Sequence, residues 1–423
     1  MNGLNRSLGL PMLIFYGMGM ILGAGIYSII GKAAAQTGDT LWAGFLLAGV
    51  AAFLTALSYA ELSTMFPKAG AEFVYLRETF KSKKWIGSTA GIAMAFSGAA
   101  TAATVSLAFA EYFNKFVEFP HAAVALGVLL AFTAIAIIGI RTSGWATVVS
   151  TLIEVGGLVF IIYLGLSSEK FGKVLAAAPH FGTLSGSALI IFSFFGFESI
   201  VNLAEEAKNP ERDLPRAILV SVILSTILYV LVSLSALALL SSEQLATSDT
   251  PLMSVALAVS EKYGQVLGAI ALFSTANTAL ISLIGGSRII YSMGEARVLP
   301  SIVASVLPKR KTPWIASLAI LVVAVLLLPL GKIEMVASLS SFATLIAFFS
   351  VNVALIVLRF TQKNKKRSFR ISLSIGRLPI LPLLGALASL ALATQFDLNV
   401  YVIGIPLIAL SAFFFIWKTR KFN

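Results

Sequence analysis

Apolar residues fill long stretches of this 423-residue chain, and polar residues collect between them. A run of about 20 apolar residues is long enough to cross a hydrocarbon core of ~30 Å as a helix. The pattern predicts twelve such spans, at roughly 11–35, 41–66, 87–113, 122–140, 145–166, 185–206, 215–240, 265–293, 314–330, 333–358, 378–395 and 399–417. Because no linker or low-complexity stretch interrupts them, we expect an all-α polytopic membrane protein with one transmembrane domain over 1–423.

Glycines are concentrated in the first predicted span, at Gly17, Gly19, Gly23 and Gly25. Each glycine costs a helix interior ~1 kcal/mol relative to alanine, so this density predicts a broken helix. Unwound backbone at membrane depth is tolerated only where it is buried in protein or lines a polar cavity. The free amide and carbonyl groups at such a break can bind a small zwitterion without any charged side chain.

A second break is predicted in the sixth span, where Gly196 lies within the string FSFFGFES at 192–199. Breaks in the first and sixth spans are five helices apart. This spacing predicts two five-helix repeats of opposite orientation, at approximately 11–166 and 185–358. Two accessory helices, at approximately 378–417, follow the repeats.

The distribution of charge predicts an orientation. Of the 31 Lys and Arg residues, 25 fall on the segments that share one side if both termini are cytoplasmic. The positive-inside rule therefore predicts cytoplasmic termini, and we expect a multi-pass protein of the plasma (inner) membrane. The net charge of +12 indicates contact with lipid headgroups and not with nucleic acid, because basic residues interleaved with aromatic ones are absent from the sequence.

The residue types argue against an enzyme. The chain has no cysteine, and its two histidines, His121 and His180, are expected to be ordinary residues of outer loops. The sequence shows no metal-ligand cluster and no phosphate-binding loop, so we predict no metal, no cofactor and no catalysis. A transporter is the favoured class. An amino acid sensor with the same fold remains the alternative, although a sensor would be expected to show damaged site motifs or an added domain.

Several short strings together resemble the amino acid–polyamine–organocation permeases over essentially the whole chain. They are GAGIY at 23–27, YAEL at 59–62, PKAG at 67–70, FFGFE at 194–198, EEAKNPERDLPR at 205–216, TANT at 275–278, SR at 287–288 and LP at 299–300. The resemblance implies broken spans one and six, as in the bacterial sodium-coupled leucine transporter, and alternating access to a central site.

The resemblance also implies a substrate site made of seven residues: Ile21, Gly23, Ala24, Gly25, Phe192, Phe195 and Gly196. Backbone groups of Ile21, Ala24 and Gly25 are expected to face the substrate carboxylate, with Gly25 leaving room for its approach. Carbonyls of Phe192 and Phe195 are expected to face the ammonium group, and the Phe192 ring is expected to act as a gate.

Three carboxylates within predicted spans, Glu61, Glu154 and Glu198, call for a role, because a carboxylate costs at least ~2.5 kcal/mol at the bilayer centre. Glu61 is expected to pair with a base from an inner loop. Glu154 stands where many relatives carry a lysine in place of a sodium ion. We expect it to carry a proton, with sodium binding or a structural role as alternatives. Glu198 is expected to cap the half-helix after the break and to take part in gating. Titration or contact with a cationic substrate are its alternatives.

The predicted function is secondary transport of a small or medium neutral amino acid, by proton coupling or by exchange. Phe195 favours this class because large-substrate relatives have glycine there. Cationic amino acids or polyamines remain the alternative substrates. The expected partners are therefore the amino acid, protons (sodium is less favoured) and membrane lipids.

Overall fold

The computed structural model describes residues 8–67, 70–138, 144–204, 207–310, 312–362 and 364–422, so positions 68–69 and 205–206 of the strings quoted above lie outside the described residues. The first half of the described chain forms the helices α1 (Leu10–Ile21), α2 (Ala24–Thr37), α3 (Leu41–Met65), α4 (Ala71–Thr79), α5 (Trp85–Phe113), α6 (His121–Ile138), α7 (Gly144–Leu166), α8 (Phe171–Val174) and α9 (Phe181–Ile190). The second half forms α10 (Pro210–Leu239), α11 (Ser242–Thr247), α12 (Pro251–Leu257), α13 (Glu261–Glu295), α14 (Trp314–Leu327), α15 (Ile333–Thr361), α16 (Ile380–Ala393) and α17 (Leu398–Phe422).

The architecture is all-helical with many apolar helices, as a polytopic membrane protein requires. Within the described ranges, nine helical segments are long and apolar enough to cross a membrane, the stretch from α2 through α3 counting as one. Three shorter apolar segments accompany them: Leu10–Ile21, Trp314–Leu330 and Ile380–Ala393. A β-hairpin precedes α16, in which the two-residue strand Ser374–Ile375 pairs with Leu378–Pro379. The apolar pattern does not predict this hairpin.

Both predicted helix breaks are present in the described chain. α1 ends at Ile21, and α2 begins at Ala24 after two non-helical residues. At the second break, α9 runs into the 3-10 turn Ile191–Phe194, Phe195 is extended, and Gly196 takes a φ of 121° before the 3-10 segment Phe197–Leu203. A φ in this range favours glycine, so the second break depends on Gly196.

Small residues determine how closely the long helices pack. α13 lies along α5, and a Cβ atom added to Gly98 of α5 would be 3.3 Å from the Cα atom of Gly286 in α13. Close contact through small residues is typical of helix pairs in membranes, where dispersion forces replace the hydrophobic effect. α17 is peripheral, with Leu410 and Phe413 68% and 69% exposed.

A buried ionic cluster closes one end of α3. The Glu61 carboxylate is fully buried and lies 2.5 Å from Arg359 Nη2 and 3.1 Å from Arg367 Nε. The Ile371 backbone N–H also donates to Glu61 Oε2, at 3.0 Å. Arg367 and Ile371 lie in the connection between α15 and α16. The predicted pairing of Glu61 with a loop base is therefore confirmed, and Arg367 is that base.

We expect the Arg359→Met variant to be destabilised by about 3 kcal/mol, because removing one partner of a buried ion pair leaves the other charge undercompensated. The measurement is the thermal unfolding midpoint of purified protein in detergent. Lys366→Met is the matched control, since the Lys366 side chain is 86% exposed and 3.8 Å from Glu211. Equal midpoints for the two variants would show that the buried cluster adds nothing to stability.

Candidate functional site

A cavity lies where the two helix breaks meet. It holds about 950 Å³ of empty space, its open mouth included. Seven of the nine residues predicted for the site line it: Ile21, Gly23, Gly25, Phe192, Phe195, Gly196 and Glu198. Helices α5 and α13 supply much of the remaining wall, with polar groups from Ser97, Thr101, Thr278 and Ser282. The other two predicted residues, Ala24 and Glu154, are not among the residues that line it.

The two breaks contact each other backbone to backbone. A Cβ atom on Gly25 would lie 2.6 Å from the Cα atom of Ser193, and one on Gly196 would lie 2.6 Å from the Met20 carbonyl oxygen. Such distances are well inside van der Waals contact, so only glycine permits this approach. The contact with Ser193 is thus a reason for glycine at position 25, and the expected role of Gly25 in admitting the substrate carboxylate stays a prediction.

Tyr229 of α10 links the same two breaks. Its hydroxyl oxygen is 2.6 Å from the Ile21 carbonyl oxygen and 2.9 Å from the Ser193 carbonyl oxygen. The hydroxyl has one proton, so it donates to one carbonyl at a time. The ring is fully buried against Phe45 and Phe194. Sequence reasoning missed this residue, and the available signal was a tyrosine within a long apolar run.

The start of α2 offers amide groups to the cavity. The first amides of a helix have no acceptor within the helix, and they carry the positive end of its dipole. The Ala24 amide already donates to Thr278 Oγ1 at 2.8 Å, and Ala24 does not line the cavity. The Gly25 amide is the next in order, and Gly25 does line the cavity. An anionic group would therefore approach Gly25 and not Ala24.

Aromatic rings form the apolar part of the wall. Phe192 is 3% exposed, and its ring meets that of Phe195 edge to face at 5.7 Å between centroids. The Phe195 ring in turn meets Phe348 of α15 at 6.1 Å. The Phe192 carbonyl accepts from the Phe195 N–H at 3.3 Å. A carbonyl oxygen has two lone pairs, so this oxygen retains capacity for a further donor.

Two carboxylates line the cavity. Glu198 accepts from the Gly196 N–H through both oxygens, at 3.1 and 2.9 Å, and so lies at the start of the helical segment after the break. Glu72 of α4 was not predicted. Its carboxylate accepts from the Tyr59 hydroxyl at 2.5 Å, and burial raises its pKa above the ordinary value. No lysine or arginine is among the described residues that line the cavity.

Glu154 lies outside the cavity, fully buried among α2, α7 and α13. Asn277 donates to Glu154 Oε1 at 3.2 Å, and the Tyr27 hydroxyl donates to the Glu154 backbone carbonyl at 3.4 Å. The Ser274 hydroxyl of α13 also interacts with the Glu154 carboxylate. The carboxylate is thus held by α13 close to the first break.

Comparisons with known proteins cover nearly the whole chain. A family model described as amino acid permease matches residues 8–421. The branched-chain amino acid permease BcaP of Bacillus subtilis is 29% identical over 87% of this chain and 84% of its own. The vacuolar cationic amino acid transporter 4 of Arabidopsis thaliana is 30% identical over 85% of this chain, which spans 64% of the plant protein. An uncharacterized transporter of Mycobacterium bovis is 28% identical over 94% of this chain and 87% of its own.

We expect Tyr229→Phe to weaken substrate binding about tenfold, because the two breaks lose the hydroxyl that fixes their carbonyls and one buried carbonyl is left without its donor. Binding of amino acids to purified protein, measured by calorimetry, tests this. Tyr401→Phe is the control, since its hydroxyl also bonds a carbonyl, that of Ala393, but lies in the accessory helices. Wild-type affinity in Tyr229→Phe would remove Tyr229 from the site.

Proposed function

Because this chain belongs to the amino acid permease family, we propose that it is a secondary transporter that moves an amino acid across a membrane by alternating access. The observation that carries this proposal is the cavity at the meeting point of two broken helices. A helix amino end, unwound carbonyls and aromatic rings line one cavity there. Amides suit the substrate carboxylate and carbonyls suit its ammonium group.

We further propose twelve spans arranged as two inverted five-helix repeats. α1 with α2 forms the first span, and α9 with the following 3-10 segments forms the sixth. The repeats then run from α1 to α7 and from α9 to α15, with α16 and α17 as accessory spans of a single domain. The positions of the two breaks support this arrangement. The distribution of Lys and Arg supports cytoplasmic termini in a plasma (inner) membrane.

The cavity suggests which state is described. It extends from the breaks to Gly70–Glu72 and Ile289, on the side where the charge distribution places the cytoplasm. Phe192 is almost fully buried at the breaks. We infer an inward-facing state in which the Phe192 ring belongs to the closed outer gate. Water exclusion by such a lid is a common requirement for coupling a substrate to a conformational change.

A neutral amino acid of small or medium size is the proposed substrate. Phe192 and Phe195 narrow the space beside the backbone groups and offer an apolar surface. The name of the Bacillus subtilis relative, a branched-chain amino acid permease, agrees with this class.

Cationic amino acids are the second candidate, for a specific reason. Glu72 and Glu198 both line the cavity, and their negative charges would attract a cationic side chain. The plant relative is named a cationic amino acid transporter. Burial raises the pKa of Glu72. As the pH falls, Glu72 would therefore become protonated, and lose its attraction for a cation, at a higher pH than an exposed carboxylate would.

Competition in proteoliposomes separates the two candidates. We expect unlabelled leucine or valine to inhibit uptake of radiolabelled leucine at least tenfold more effectively than arginine does, and Glu72→Gln to leave this ratio unchanged. Glu78→Gln is the control, because Glu78 lies on the same helix with a side chain 47% exposed. If arginine is the stronger competitor, and Glu72→Gln alone removes its advantage, the substrate is cationic. No uptake of any amino acid would reject transport.

Coupling is proposed to run through Glu154, whose carboxylate is fully buried beside the first break and accepts from Asn277. Glu154→Gln imitates the permanently protonated state. Uphill uptake driven by an inward pH gradient should then vanish, while exchange of internal for external substrate should survive because exchange requires no proton release. Glu118→Gln, in the connection between α5 and α6, is the control.

Two results would contradict this coupling proposal. If wild-type protein accumulates substrate only with a sodium gradient, Glu154 becomes a candidate sodium ligand. If proton-driven uptake is unchanged in Glu154→Gln, the proton is carried elsewhere, with Glu198 the next carboxylate to test.

A further inference from the structure

The geometry points to His180 as a clasp that joins α2 to α9, so that these two half-helices move as one body. α2 follows the first break and α9 precedes the second, so together they flank the proposed outer gate. The effect of the clasp on gating rests on the proposed function, whereas the clasp itself rests on the contacts of His180. From the sequence alone, His180 is expected to be an ordinary loop residue.

Both ring nitrogens of His180 are engaged. The Gly182 N–H donates to Nδ1 at 3.0 Å, which caps the start of α9. Nε2 lies 3.1 Å from the Thr37 carbonyl oxygen, at the end of α2. Because Nδ1 accepts a hydrogen bond, the ring proton is on Nε2, and the ring donates to Thr37. A single imidazole therefore supplies an acceptor to one helix end and a donor to another, which are the groups that these ends lack.

Three further hydrogen bonds and one close backbone approach lie at the same junction. Thr40 Oγ1 lies 2.6 Å from Thr183 Oγ1 and donates to the Thr37 carbonyl at 2.7 Å. The His180 N–H donates to Thr183 Oγ1 at 3.0 Å. A Cβ atom on Gly182 would lie 2.3 Å from the Gln36 carbonyl oxygen, so the start of α9 touches the backbone of α2.

The opposite ends of the two half-helices also meet. Gly25 near the start of α2 packs on Ser193, in the turn that follows α9. The pair is thus fixed at the outer junction and again at the breaks. Because α2 and α9 are joined at both ends, neither helix can rotate without the other. A gate that opens by moving one of these helices must therefore move both. His180 is a positioning residue in this arrangement, since it acts on the gate and not on the substrate.

The absence of cysteine from the chain makes a direct test practical, because introduced cysteines are the only labelling sites. Spin labels at Ala35→Cys of α2, Phe181→Cys of α9 and Lys115→Cys beyond α5 would be paired in turn. In nanodiscs, line broadening in continuous-wave electron resonance would then measure the short distance between positions 35 and 181, and pulsed electron resonance would measure the two longer distances to 115. Each is measured with and without a saturating mixture of leucine and arginine. Phe181 is 78% exposed, so a label there is accommodated.

For the wild type we expect one narrow distance between the labels at 35 and 181, unchanged by amino acids, while both distances to 115 change together. An amino-acid-dependent change in the 35–181 distance would overturn the clasp. If no distance responds to amino acids, the proposed transport function is in question, and the variants below still decide the clasp.

His180→Ala should broaden the 35–181 distribution and slow uptake about fivefold, the scale of one lost cap. His180→Asn retains a side-chain acceptor for Gly182 but is too short to reach Thr37. It should therefore keep the protein folded without restoring the narrow distance or the uptake rate. His121→Ala, at the start of α6, is the control for loss of an imidazole. An unchanged distribution in His180→Ala, or full rescue by His180→Asn, would overturn the clasp.

Discussion

The contact between two stretches of unwound backbone is the constraint on which the rest of this structure depends. Each stretch interrupts a helix, and each exposes polar groups that cannot remain unpaired at membrane depth. Gly25 and Gly196 bring the stretches together so closely that no side chain fits between them. The cavity exists because both interruptions occur at the same level and share a wall.

The surroundings satisfy some of these backbone groups and leave others available. The Tyr229 hydroxyl lies within hydrogen-bond distance of the carbonyls of Ile21 and Ser193, while the Thr278 hydroxyl accepts from the Ala24 amide. Glu198 accepts from the amide of Gly196. The Gly25 amide has no acceptor within its helix, and Gly25 lines the cavity. A polar group on a cavity wall is costly unless a ligand or water pairs with it, so this amide is available to an anionic group.

The sequence predicted the elements that depend on local composition. Long apolar runs indicated the helices, clustered glycines indicated the first break and Gly196 indicated the second, because each of these signals lies within one segment. Contacts between distant segments were less accessible. Tyr229 and Glu72 act through partners on other helices, and nothing in their own neighbourhoods separates them from ordinary residues. For Glu61, the need for a basic partner was predictable because the charge lies near a helix end. The identity of that partner was not.

The Glu61 cluster has a consequence for how the chain is made. Its carboxylate belongs to α3, but the Arg359 guanidinium that neutralises it lies 298 residues later. At about 5–20 residues per second, synthesis leaves that acid unpaired for roughly 15–60 seconds. During this interval the Glu61 carboxylate lacks its buried partner, so α3 must keep it at the bilayer surface, where water reaches it. α3 can therefore reach its final position only after α15 has been made. Until then, an exposed carboxylate distinguishes the unfinished chain from the complete one.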